Sequence, residues 1–585
     1  MTKERKAGVL LPISSLPAPY GIGTMGESAY RFIDWLKAAG MKLWQVLPLL
    51  PTNYGDSPYQ SCASDALNYY FIDLDALERE GLLEKADYAF LDWGADPRRV
   101  DYEKLFLHRA EVLKKAFARF DRTASDWKKF LKTGKYRDFA LFMSLKSKFS
   151  YLPWTEWPEP YRLCDEKTIG AFMAENGDEL EFWQFTQYLF LRQWNALKAY
   201  AHENGVEIMG DMPIYVASDS VEMWKYRGEL FLLDEKGAPA AVAGVPPDAF
   251  SADGQLWGNP VYDWEKLKGN GYAWWHARID YALTLFDILR IDHFRGFDRF
   301  YAIPAGAADA KEGEWLKGPG AALFEGRKGR PIVAEDLGII DEGVRKMLKE
   351  TGYPGMKVLE FAFDGNPDND HKPSHYGENC IAYTGTHDNE PLLSYIEGLD
   401  ETARRTFEED LRRECGAAKV PVRAESASAL CKTTIRLLFS GKSFAAVVPM
   451  KGGADQFSLH RCARKLELPL QKIGTWKAGG GMAESAGGKI SKIKGNRYGK
   501  RRNIEACRSY AFKADGDVGG DKSSLRRRDK VRGGERVYSA QPRPSGERIR
   551  RGQLENLHGD RVPQRLRHDG NQALRGGGRD RKRRG

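Results

Sequence analysis

Short apolar runs recur along the first 450 residues with helix-forming stretches between them, and few architectures accommodate that alternation. The runs are GVLLPIS (8–14), LWQVLPL (43–49), VEIMGD (206–211), FDILRID (286–292), PIVAED (331–336), VLEFAF (358–363), IAYTGT (381–386) and AAVVPM (445–450). Between the first two lies AYRFIDWLKAAG, whose apolar spacing predicts a crossover helix stopped by its last glycine. A longer periodic stretch, FWQFTQYLFLRQWNALKAYAHENG, precedes the third run and ends at Asn204-Gly205. Strand and helix in alternation predict βα units around a parallel sheet. Eight of them predict an α/β fold, a (β/α)8 TIM-type barrel whose chemistry sits at the carboxyl ends of the strands.

Two stretches interrupt the alternation. Residues 50 to 200 are too long for a loop and predict an inserted helical subdomain. One of its helices spans Tyr102 to Phe120, with Tyr102, Leu105, Phe106, Leu113, Ala116, Phe117 and Phe120 on one face. Residues 215 to 275 contain GVPPDAFSADGQLWGNPVYDW, whose proline and glycine punctuation predicts an ordered loop overhanging the strand ends.

Three of the runs end in acids: Asp292, Glu335 with Asp336, and Asp388 just beyond IAYTGT. Retaining cleavage of a glycoside needs two carboxyl groups roughly 5–5.5 Å apart, one ionised and one protonated. Neighbouring barrel strands about 4.8 Å apart supply that separation, and the fourth and fifth runs pair Asp292 with Glu335. Arg290 lies two residues before Asp292 and shares its side of the strand. Its charge favours an ionised Asp292, the nucleophile, while the second carboxylate favours a protonated Glu335, the acid/base. Asp388, next to His387, is placed to grip the reacting ring and stabilise its transition state. Each acid taken singly also fits a helix N-cap after its strand, and for Asp336 capping is the better reading.

These segments resemble the 4-α-glucanotransferases called amylomaltase or disproportionating enzyme, in the α-amylase clan. The resemblance rests on GVLLPISSLPAPYGIGTMG, LWQVLPLLPTNYGDSPYQS, GDMPIYVASDS, GVPPDAFSADGQLWGNPVYDW, RIDHFRGF, IVAEDLG, YPGMKVLEFAFDG and YTGTHDN, in the family's order. It implies transfer of α-1,4-glucan segments through a covalent intermediate on Asp292, with Glu335 as acid/base and Asp388 as third acid; the alternatives are an amylase-like hydrolase, or a glucan-binding protein inactivated by its disrupted C-terminus. It implies that Asp211 and His387 hold sugar, that Tyr54 and Tyr59 line the groove, and that a loop with Asp248, Gln255, Trp257 and Asn259 encloses the glucan. The partners it implies are α-1,4-glucans and maltooligosaccharides. It implies no metal, nucleotide or pyridoxal cofactor. One segment departs from the family: SCASDALNYYF has Cys62 for an aromatic residue and Leu67 for a glycine.

Composition sets the compartment and divides the chain. Seven scattered cysteines without a C-x-x-C pair argue against a disulfide framework and against zinc. The opening MTKERKAGVLLPISSLP has too short an apolar run for a signal peptide, and no run approaches a membrane span. A cytoplasmic enzyme, with no membrane and no nucleic acid as partner, is expected; composition leaves its oligomeric state open. Residues 1–450, the catalytic unit, carry a net charge of −12, whereas 451–585 carry +21 and hold 23 of the 60 glycines. That Gly/Arg-rich end reads either as a basic nucleic-acid-binding tail or as a reading-frame slip just after Met450. The slip is favoured: for one choice of codons at 465–469, a one-base shift restores the Asn-Trp pair the family carries near its glucan. A barrel lacking its last helix would expose an apolar face and a sheet edge at the final strand, and so fold poorly.

Overall fold

The computed structural model describes residues 5–450 other than 54, 248–250 and 339. The tail after Met450 lies outside the described residues. Twelve strands are found among them: β1 (Lys6–Leu10), β2 (Leu43–Gln45), β3 (Glu207–Met212), β4 (Ala241–Val245), β5 (Gln255–Pro260), β6 (Ile288–Ile291), β7 (Arg299–Pro304), β8 (Glu314–Lys317), β9 (Ile332–Ala334), β10 (Gly355–Val358), β11 (Cys380–Tyr383) and β12 (Ala445–Pro449). Eight of them form one parallel sheet in the order β10-β11-β12-β1-β2-β3-β6-β9. Its two ends meet where Ala334 N–H donates to the Pro354 carbonyl at 2.9 Å. The result is a (β/α)8 barrel.

Every one of these eight strands sends a side chain inward. Leu10, Leu43, Met209, Ile288, Val333, Met356, Val358, Ile381, Tyr383, Ala445 and Val447 pack into one buried cluster, which is a filled core rather than a pore. Gly8 also faces a crowded place, since a Cβ there would lie 2.9 Å from Leu43 Cβ. Above this apolar layer the lining turns polar. Tyr383 O–H donates to Gln45 Oε1 at 2.9 Å, and Asp211 and Arg290 follow at the next level.

All eight expected runs become barrel strands, with one shift. The sixth is Gly355–Val358 rather than 358–363, and Leu359–Phe361 turns into a 3-10 helix. The final strand has no open edge, contrary to the expectation above: β12 is paired with β11 on one side and β1 on the other.

The long excursion folds into helices, among them Tyr102–Arg119, Arg137–Lys148 and Gly177–Glu203. Asp101 caps the first by accepting from Lys104 N–H. Its buried face differs from the expected one. Phe106 is about half exposed, against the edge of Tyr151, whereas Arg109 is fully buried. The Arg109 guanidinium donates to the carbonyls of Tyr20 and Ile72 and lies over Trp93, so its charge is solvated by the protein. The second excursion is not simply a loop. It supplies β4 and β5, which join β7 and β8 in a four-stranded antiparallel sheet ordered β5-β4-β7-β8. No helix among the described residues is long and apolar enough to cross a membrane.

Candidate active site

The parallel register builds the site. Asp211 on β3 pairs with Arg290 on β6, and Ile291 pairs with Ala334 on β9, so Asp292 and Glu335 emerge one step further on neighbouring strand ends. The ladder continues past the strands: Asp292 N–H donates to Met212 O and Glu335 N–H to Ile291 O, both at 3.0 Å. Arg290 is the hub. Its Nη1 donates to both oxygens of Asp211 at 2.7 Å, and its Nη2 lies 2.9 Å from Asp292 Oδ1.

A hydrogen-bond chain crosses the barrel mouth from there. Tyr59 O–H donates to Asp211 Oδ2 at 2.7 Å, so its oxygen accepts from His387 Nε2 at 2.9 Å. The His387 ring stacks parallel on Tyr59, and the same nitrogen lies 3.2 Å from Asp388 Oδ1. The Asp388 side chain is 77% exposed, against 29% for Asp292 and none for Asp211.

Glu335 is held by backbone donors. His293 N–H bonds its Oε2 and Leu337 N–H its Oε1, each at 2.7 Å. His293 can aim that N–H only because its backbone is left-handed, at φ 47°, an uncommon state for a non-glycine residue. Its ring meets the edge of Trp257, and burial holds its pKa down to about 3, with Arg295 adding to the effect, so it is neutral. His293 was absent from the expected site. Adjacency to Asp292 is the only sequence signal it offers.

Burial raises both central carboxyls. Asp292 is pushed up to about 7 by desolvation, with Arg290 opposing and Asp211, Glu335 and Asp388 adding repulsion. Glu335 is raised by desolvation against the pull of Arg290 and its two backbone donors. Both carboxyls are thereby raised on adjacent strand ends, where each also opposes ionisation of the other.

The remaining expected residues divide. Trp257 is partly exposed, its Nε1 donating to Gln255 Oε1 at 3.0 Å, and both lie on β5 beside the site. Asn259 is buried. Its amide exchanges hydrogen bonds with Gln60 and donates to Val216 O, tying β5 to the barrel loops rather than facing a groove. Tyr54 and Asp248 lie outside the described residues. Asp336 is not a helix cap: the cap of the following helix is Asp341, and Asp336 instead accepts from Met356 N–H on β10 at 2.6 Å. The reason is register, which turns Asp336 toward β10 as Glu335 turns into the barrel.

A parallel barrel that presents a guanidinium-bridged set of carboxyls and an aromatic rim at its strand ends defines an enzyme acting on glycosidic bonds. The model of the 4-alpha-glucanotransferase family matches residues 11–462, and the chain belongs to that family. The match runs twelve residues past Met450. The chain is 42% identical to the 4-alpha-glucanotransferase of Streptococcus pneumoniae over 483 residues, covering 81% of this chain and 93% of that one. It is 45% identical to the enzyme of the same name from Thermus thermophilus over 408 residues, covering 68% and 80%. Among solved structures it is similar to the amylomaltase of Streptococcus agalactiae in complex with acarbose, with TM-score 0.72, 40% identity and coverage of 76% and 90%.

Proposed function

We propose that the chain moves a segment of an α-1,4-glucan to the 4-position of a second glucan or of glucose by double displacement within residues 1–450. Asp292 attacks the anomeric carbon while Glu335 gives its proton to the leaving oxygen. The vacated site then takes the acceptor, whose hydroxyl proton returns to Glu335 as the Asp292 ester breaks. Asp388 and His387 grip the hydroxyls of the reacting ring. Tyr59, Asp211 and Arg290 hold the nucleophile in place, and Trp257 with Gln255 covers the glucan against water. The observation that carries this reading is the register step Ile291↔Ala334, which sets the two raised carboxyls on adjacent strand ends beside one guanidinium. We place the enzyme in the cytoplasm, with maltooligosaccharides rather than membrane or nucleic acid as partners. The free thiols of Cys62, Cys164, Cys380 and Cys415 fit a reducing compartment.

Incubation with maltotriose tests it. Longer oligomers with free glucose are the expected products, and steady growth of reducing ends without longer oligomers would assign a hydrolase instead. A fluorinated donor should leave a glucosyl adduct on Asp292, and an adduct elsewhere would overturn the assignment.

A further inference from the structure

The barrel closes differently at one seam. In a parallel ladder, a residue that donates to its neighbour strand also accepts from that strand two residues further on. Ala334 N–H donates to Pro354 O, so its own carbonyl is due to accept from Met356 N–H. Instead Met356 N–H goes to Asp336 Oδ1. The next donor on the same edge of β10, Val358 N–H, goes to His371 Nδ1 at 3.1 Å. Two side chains have replaced the ladder.

Glycine makes the replacement possible. A Cβ on Gly355 would sit 2.3 Å from Asp336 Oδ2, so the carboxylate occupies the volume any other residue would fill. Behind it lies a cavity of about 470 Å³, lined by Arg345, Tyr353, Lys357 and His371 among others. The other edge of β9 is firmly held, by Glu335 N–H to Ile291 O and Phe294 N–H to Glu335 O. On the β10 side, past Ala334, the Asp336 carboxylate is the tie.

From this geometry we infer that Asp336 is a positioning residue for Glu335: by closing the β9–β10 seam against Gly355 it fixes the backbone from which the acid/base projects. The inference rests on the acid/base reading of Glu335. Consecutive residues on an extended chain point to opposite sides, so anchoring 336 outward sets the angle of 335 inward. Release would let the Glu335 carboxylate drift from His293 and Leu337, and a 1 Å misplacement is enough to cost catalysis heavily.

The test separates the work of Glu335 from general damage. Maltotriose needs an acid to expel its sugar, whereas α-maltosyl fluoride expels fluoride unaided, and azide as acceptor needs no base. In the full 585-residue chain, Asp336→Ala should lower turnover of maltotriose by about 100-fold and turnover of the fluoride with azide by less than about threefold. Asp336→Asn, which keeps an acceptor oxygen, should recover most of the loss. If Asp336→Ala fails to fold, Gly355→Ala displaces the same carboxylate and should show the same split between donors. Equal losses with both donors, or no loss with either, would overturn the inference. A Glu335→Ala protein that keeps its maltotriose turnover would instead defeat the acid/base reading itself.

Discussion

Two groups of acids face the barrel mouth, and they are held in opposite ways. On the β3–β6–β9 arc, Asp211 and Glu335 are buried and Asp292 is mostly covered, and each is fixed by a guanidinium or by backbone N–H groups. Beyond β11, the Asp388 side chain is 77% exposed, with the His387 nitrogen 3.2 Å from its Oδ1. The arc is held by the protein's own groups, whereas on the proposed reading the β11 side takes its further contacts from the sugar. Changes on the arc should therefore harm folding and catalysis together, while changes at Asp388 should harm catalysis alone.

The largest effect tests the arc directly. Asp292→Asn should lower kcat on maltotriose by on the order of 10⁵-fold, the scale of losing a nucleophile, and should abolish the trapped adduct. An active Asp292→Asn protein would break the comparison outright. Next, Asp388→Asn should lower kcat by about 10²- to 10³-fold, as for a lost transition-state contact. Its stability should stay within about 0.5 kcal/mol of the parent because the group is exposed. A drop in Tm matching that of an arc variant would erase the distinction between the two sides.

Arg290→Gln should do both kinds of harm. It strands Asp211 and Asp292 without their partner, at about 3–5 kcal/mol of stability, read by urea unfolding. It also moves the pH profile. Arg290 favours the ionised Asp292, so its removal raises that carboxyl further above about 7 and shifts the acid limb of kcat/KM to higher pH. Movement of that limb toward acid would contradict the role of the guanidinium. The smallest effect belongs to Tyr59→Phe, which leaves an Asp211 oxygen with one bond fewer at about 1–3 kcal/mol. Its activity should fall modestly through a looser His387, seen as a raised KM.

Much of the arc was legible in the sequence because period-2 strands fix which residues share a face. Arg290 with Asp292, and Asp292 with Glu335, follow from spacing and strand order alone. What stayed hidden depended on partners distant in the chain. The sixth strand runs Gly355–Val358 and gives way at Leu359 to a 3-10 helix, which no local apolar pattern records. β7 and β8 were not anticipated, since EWLK is short and mostly exposed and reads as loop. Arg109 is inside and Phe106 outside because carbonyls and Trp93 accept the guanidinium. The left-handed backbone of His293 and the turn of Asp336 toward β10 are likewise properties of the assembled barrel.

Gly355 carries a consequence for how the enzyme can vary. Each amino acid one nucleotide away from a glycine codon brings a Cβ, and a Cβ here collides with Asp336. No single base change to another residue at 355 leaves the seam intact. Position 355 is thereby tied to position 336, and a side chain becomes admissible at 355 only after the carboxylate at 336 has been shortened or moved.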